Sequence, residues 1–343
     1  MSLPLLPPQP TDTAWPTQDW PHGSLQHVDR AAFNALVAEA FAEKKTPTLG
    51  ETHALLIVQG GRITFERYGD GFDASSTHHS WSKAKSITQA LIGLLVKDGK
   101  LDVSAPADVP AWANDARSAI TLDQLLRMSS GLKFIEDYAP GGGPSDVIAM
   151  LFGDGKDDVA AYAAAQPLEH APGTHWSYAS GTTNIVSRIA ARALDAYGSD
   201  FKRFMVTRLF EPLGIRSAIP RFDNAGTFIG SSYCFMTARD FARFGLLYLR
   251  GGVWDGRRLL PEGWVDYART PTFQQPGAGD NRYGAHWWLD LGGPGSFSAN
   301  GYDGQFTVVA PDRDLIIVRH GVTGLEIKEN LKAWMCKLAK CFS

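Results

Sequence analysis

Apolar positions along the chain change period twice, and the changes divide it into zones. Residues 1–27 are proline-rich and read as an extended arm. Phe33, Leu36, Val37, Ala40 and Phe41 then share one stripe at helical spacing behind Asp29, which predicts a capped amphipathic helix to about residue 43. Segments 54–59 and 62–68 carry strand patterns on either side of Gly60-Gly61, a hairpin signal. From residue 82 to about 213 the spacing is mostly helical, with helices predicted at 82–97, 122–128, 159–164, 184–197 and 202–210. A further helix fits 238–249, stopped by Gly251-Gly252. Strand patterns return at 284–289, 295–300, 305–310 and 315–320, and a last helix is expected near 325–338.

Strands at both ends with helices between them predict an α/β (α+β) protein. Its α/β domain would be built from residues 1–80 and 235–343, with a mainly helical domain, 81–234, inserted and the site in the cleft between them. A length of 343 residues is enough for two such units. With 44% apolar and 20% charged residues the chain reads as globular, and a net charge of −3 gives no electrostatic case for nucleic acid or an anionic membrane. Small molecules are the expected partners. Cys234, Cys336 and Cys341 form no metal-binding spacing and read as free thiols, and His78-His79 read as solvated turn residues. No cofactor or metal is expected. The first residues lack a basic segment and prolines interrupt their apolar run, so a cytoplasmic location is the default expectation.

Candidate chemistry centres on Ser82-Lys83-Ala84-Lys85, where a polar stretch gives way to a long apolar helix. Residues three apart share a helix face, so the Ser82 hydroxyl and the Lys85 amine can meet. A serine hydroxyl needs a neighbouring base to become a nucleophile, and a buried lysine can serve. Ser-x-x-Lys also occurs at Ser80/Lys83, Ser130/Lys133 and Ser199/Lys202, and a solvated helix cap beside a surface lysine is the plain alternative. Ser82 differs in opening a helix whose next turns are apolar. Tyr178-Ala179-Ser180-Gly181 follows Pro172-Gly173 in a loop suited to aiming side chains into a cleft, where a phenol near Lys85 could relay protons if the ammonium lowered its pKa. Asn300-Gly301-Tyr302-Asp303-Gly304 closes a strand edge, its glycines allowing close approach of substrate or another chain. The loop 138–144, headed by Tyr138, fits either the rim of a site or a surface connector. Asp303, His175 and His286 are secondary candidates for the cleft.

In this order and at these intervals the blocks resemble the serine β-lactamase and penicillin-binding-protein superfamily. They are 82–88, 120–132, 172–181, 230–233 with 237–240, and 301–305. The likeness is strongest to the class C-like branch, with its family VIII esterases, D-alanyl-D-alanine carboxypeptidase-like enzymes and 6-aminohexanoate-dimer hydrolases. The resemblance implies a β-lactamase/transpeptidase-like fold, an antiparallel sheet flanked by helices plus an all-helical domain. It implies Ser82 as the acylated nucleophile, Lys85 and Tyr178 as its proton partners, and the backbone N–H groups of Ser82 and Tyr302 as an oxyanion hole. Ser180, Asn300, Gly301, Asp303 and Tyr138 would contact substrate. Two positions depart from the pattern: Ser180 stands where an asparagine is common, and Ala299 where a lysine or histidine is usual. Both favour a small ester or an amide over a β-lactam; a carboxylesterase, a carboxypeptidase, a β-lactamase and a catalytically silent binding relative are the alternatives.

Overall fold

The computed structural model describes residues 3–138, 143–273 and 282–343. Along the chain, α1 (Arg30–Ala40) starts at Asp29, whose carboxylate accepts from Ala32 N. β1 (Glu51–Gln59) and β2 (Arg62–Tyr68) form the hairpin, with Gly60 and Gly61 both at positive φ as a tight turn matched to strand twist requires. β3 (Thr77–His78) leads into α2 (Lys83–Lys97), then come α3 (Leu122–Leu126), α4 (Asp146–Phe152), α5 (Val159–Ala164) and α6 (Ser180–Leu194). α7 (Ser199–Met205) runs through a π-helical turn, Val206–Phe210, into α8 (Glu211–Leu213). β4 (Ile219–Pro220), β5 (Cys234–Thr237), α9 (Ala238–Leu249), the short hairpin β6 (Val253–Trp254) and β7 (Arg257–Arg258), and α10 (Trp264–Ala268) follow. β8 (Trp288–Leu289), β9 (Phe297–Gly301), β10 (Gln305–Ala310), β11 (Leu315–Val322) and α11 (Lys328–Lys340) complete the chain.

Six strands form one antiparallel sheet in the order β2-β1-β11-β10-β9-β8, so the two ends of the chain meet where Ala54 pairs with His320. Its central strands are buried on both faces, and alternate residues serve different layers. Leu55, Ile57, Val308 and Ile317 pack with Phe33 and Val37 of α1 and Leu331 and Trp334 of α11. Leu56, Val58, Ile316 and Val318 face Ile87 and Leu91 of α2 and Phe244 and Leu247 of α9. Helices α3 to α6 pack beyond α2 in the same core.

The structure corrects several expectations. Of 284–289 only Trp288–Leu289 is strand, because Gly284 N bonds to Trp287 O and His286 adopts φ 59°. The helix expected at 202–210 starts earlier, at Ser199, as α7, and α4 and α10 lie in segments whose pattern gave no helix. His78 and His79 are not solvated: His78 is 5% exposed and stacked on His320, and His79 bonds to Ser232 O and stacks on Trp81. Of the loop 138–144, residues 139–142 lie outside the described residues.

Candidate active site

The site begins at the first turn of α2. Ser82 is the N-cap of this helix, yet its side chain makes no cap hydrogen bond. The hydroxyl instead meets Lys85 Nζ at 3.0 Å. Lys85 is 1% exposed, and its amine also reaches Ser180 Oγ at 2.9 Å and the Ser231 carbonyl at 3.0 Å. Three oxygen neighbours match the three N–H donors of the ammonium, and once it loses a proton the amine can turn its lone pair to the serine. Burial pulls the Lys85 amine down to about 8, opposed by the negative charge of Glu136.

Glu136 was absent from the sequence reading. Its carboxylate accepts from Ser180 N and Ser180 Oγ, both at 2.6 Å, and lies 3.4 Å from the Tyr138 hydroxyl. Ser82, Lys85, Ser180 and Glu136 thus form one hydrogen-bonded chain. Ser180 stands at the start of α6, whose Gly181 is needed because a Cβ there would come 2.5 Å from the Phe134 ring. Ser231 O belongs to the block 230–233, which the resemblance had marked without a role. A carboxylate two residues before Tyr138 in an irregular segment leaves no periodic signal; tertiary packing alone brings it in.

Tyr178 lies with its ring 4.8 Å from the Lys85 amine and its hydroxyl toward Ser82. Burial first, then the charge of Glu136, push the phenol above its ordinary value. The expectation that the ammonium would lower it is therefore corrected: Tyr178 stays protonated and can donate, not abstract. Trp288 packs on Tyr178, ring centroids 5.3 Å apart.

The Tyr302–Gly304 turn between β9 and β10 closes the site from the sheet side, with Asp303 at φ 58° and Gly304 at φ 80°. Gly301 lies against an earlier segment of the same polypeptide: a Cβ there would lie 2.3 Å from Ser80 O and 3.1 Å from Trp81 Cβ. Only glycine lets the segment carrying Ser82 come this close to β9. Trp81 adopts φ 45°, a region that is costly for a bulky residue, immediately before Ser82.

A cleft of about 380 Å³ joins these parts, lined by Ser82, Tyr178, Asn300, Gly301, Tyr302 and Asp303, and also by Tyr138, Glu136 and Trp288. Asn300 Oδ1 is buried and has no partner among the described residues. Burial holds the Asp303 carboxyl above its usual value. Two secondary candidates drop out. His286 is buried with Nδ1 at 2.6 Å from Leu126 O and Nε2 at 3.0 Å from Thr183 Oγ1, and burial pulls its imidazole down to about 3, so it supplies no positive charge. His175 is exposed and stacks on His170. The described cleft lining includes two other cations, Lys328 and Lys332 of α11. The remaining Ser-x-x-Lys pairs differ: Lys133 and Lys202 are exposed, and Lys83 turns away from Ser80 to His320.

A six-stranded antiparallel sheet with a serine–lysine pair at the mouth of its interface with the helices defines a serine hydrolase of the β-lactamase/transpeptidase-like fold. The chain belongs to the Beta-lactamase family, whose model matches residues 33–321. It is similar to the 6-aminohexanoate-dimer hydrolase of Paenarthrobacter ureafaciens, 27% identical over 285 residues that cover 78% of this chain and 72% of that one. Among solved structures it resembles a Bacillus anthracis protein provisionally named 6-aminohexanoate-dimer hydrolase, with a TM-score of 0.76, 20% identity and coverage of 98% and 90%. A family VIII carboxylesterase matches with a TM-score of 0.67, 17% identity and coverage of 91% and 96%. No helix among the described residues is long and apolar enough to cross a membrane.

Proposed function

We propose that the protein hydrolyses a small ester or amide by two-step acyl transfer at Ser82. The observation that carries this reading is the Lys85 amine, buried, drawn down to about 8 and 3.0 Å from the Ser82 hydroxyl. Lys85 takes the Ser82 proton as the oxygen bonds to the carbonyl carbon, and the backbone N–H groups of Ser82 and Tyr302 hold the oxyanion. Tyr178, protonated and beside Ser82, passes its proton to the leaving oxygen or nitrogen and regains one from Lys85. Water then enters the same path and releases the acid. Ser180 and Glu136 hold the amine between turnovers, and the carboxylate steadies it while it is charged.

Asn300 Oδ1 offers an acceptor to an amide N–H of the substrate, and Tyr138 and Asp303 border the same space. Ala299 is buried in β9, so no cation stands there to hold a carboxylate beside the reacting carbonyl. A linear amide that carries its charge at the far end of a chain has Lys328 and Lys332 in the same cleft. Hydrolysis of linear ω-amino-acid amides, after the name of the Paenarthrobacter relative, and of short-chain esters fits better than β-lactam turnover. We also place the division between the two parts of the molecule at residues 80/81 and 234/235.

A fluorophosphonate probe, with the adduct mapped by mass spectrometry, tests the reading. Ser82 should be labelled and Ser82→Ala should lose label and turnover while keeping its Tm; full activity in that variant would move the chemistry elsewhere. On one preparation, kcat/KM for p-nitrophenyl butyrate and a 6-aminohexanoate dimer should exceed that for nitrocefin.

A further inference from the structure

On the side of α2 away from the cleft lies a second polar network, which the acyl transfer does not use. Lys83 is 1% exposed, its amine 3.3 Å from the centroid of the Phe241 ring. Its polar neighbour is His320 Nε2 at 3.4 Å, and no carboxylate pairs with it among the described residues. On the other side of the imidazole, Nδ1 lies 2.9 Å from Gln305 Oε1. The Gln305 amide is oriented by its other end, where Nε2 donates to Gly321 O at 2.5 Å and to Asp303 O at 3.2 Å.

These orientations fix the protons. An amide oxygen only accepts, so His320 carries its proton on Nδ1 and offers Nε2 as an acceptor to the Lys83 amine. Donation then runs one way, from Lys83 to His320, from His320 to Gln305, and from Gln305 to the Asp303 carbonyl. The chain starts one residue after Ser82 and ends one residue after Tyr302. Above it the same two segments touch where Gly301 meets Ser80 and Trp81.

An amine buried with no counter-charge is a burden on stability that a methionine would avoid at similar length. Its retention calls for a return, and its position supplies one. Resting on the acyl-transfer reading, we propose that Lys83, His320 and Gln305 are positioning residues: a strut that sets the separation of the two oxyanion donors, Ser82 N–H and Tyr302 N–H. The strut needs an uncharged imidazole, because a doubly protonated His320 has no acceptor left for Lys83. Its surroundings keep it so. Burial of the ring comes first and the Arg319 charge adds to it, while a proton on Lys83, on His78 stacked at 4.4 Å or on His53 5.8 Å beyond would oppose protonation further. On the acidic side, Glu51 pairs with His53 at the outer end and Asp303 faces Arg319.

Lys83→Met tests the strut, since it keeps the apolar stem against Phe241 and removes the donor. With the donors slightly misplaced, kcat and the rate of fluorophosphonate labelling at Ser82 should fall by about tenfold to a hundredfold, with KM little changed. Tm should equal or exceed that of the unaltered enzyme, and Lys83→Gln, which retains an N–H donor, should regain part of the rate. Lys83→Met labelled as fast as the unaltered enzyme overturns the strut while leaving the acyl-transfer reading in place. A slow variant with a lowered Tm and no relief in Lys83→Gln overturns it as well, because damaged packing gives that pattern. Absence of label at Ser82 in the unaltered enzyme overturns the acyl-transfer reading and the strut together.

Discussion

The two sides of the first turn of α2 put similar side chains to unlike uses. Lys83 and Lys85 are equally buried, and burial draws both amines down. Two residues apart on a helix, they point to different faces. Lys85 meets three oxygens, one of them the Ser82 hydroxyl; Lys83 meets an aromatic ring and one imidazole nitrogen. Desolvation favours the uncharged amine in both, but the neighbours decide whether it takes a proton from a substrate-facing hydroxyl or only holds a distance.

The largest effect expected is on the cleft side. Lys85→Met and Tyr178→Phe should each lower kcat by about two orders of magnitude or more, and the double variant should lose little beyond the worse single one. Steady-state kinetics on the ester decides this; cleanly multiplicative losses would separate the two residues. Lys85→Met should also exceed Lys83→Met in damage, and the reverse order would break the contrast drawn above.

A pH profile sharpens it. Catalysis needs Lys85 as the free amine, so kcat/KM should rise with pH through about 8. Glu136 favours the charged form, hence Glu136→Gln should move this limb to lower pH, and a move to higher pH would remove Glu136 from the chain. Lys83→Met should leave the midpoint of the limb where it is.

Stability separates the lysines on a smaller scale. Burial draws the folded Lys83 amine well below its ordinary value, whereas the unfolded chain binds that proton up to about 10.4, so between the two the unfolded state binds more protons and the cost of burying Lys83 shrinks as pH rises. Lys83→Met should therefore gain most in Tm near neutrality, and the gain should fade toward pH 10; a gain that grows with pH would mean Lys83 is buried charged. Smaller still are the serines of the other motifs. Ser80 Oγ bridges Ser232 O and Cys234 N at 2.9 Å each, and Ser130 Oγ accepts from Leu132 N at 3.3 Å. Replacing either by alanine should cost about 1–3 kcal/mol in denaturant unfolding and leave substantial turnover.

Contacts that close within a turn or two were legible in the sequence. Ser82 and Lys85 share a helix face, Gly60-Gly61 dictate their turn, and β2, β10, α5 and α9 kept their expected bounds because strong periodicity ran between clear stops. Tyr178 and Ser180 were found through the spacing of whole blocks. Glu136 and His320 were not, since each acts through a partner far along the chain and neither has a periodic neighbourhood that points there. His78 and His79 were misread because two adjacent polar rings look solvated until β5 and β11 pack around them. The direction of the Tyr178 shift depended on how deeply its hydroxyl lies, which no local pattern contains.

The sheet order β2-β1-β11-β10-β9-β8 has a consequence for biosynthesis. While the chain is still on the ribosome, the β1–β2 hairpin and the serine on α2 are made long before β11, the partner that β1 needs on its other edge. Until residues 315–322 emerge, the apolar edge of β1 stays open and His320 cannot reach Lys83. Nascent chains are thus exposed to wrong pairing for most of translation, which makes the last strand the step that shields the fold.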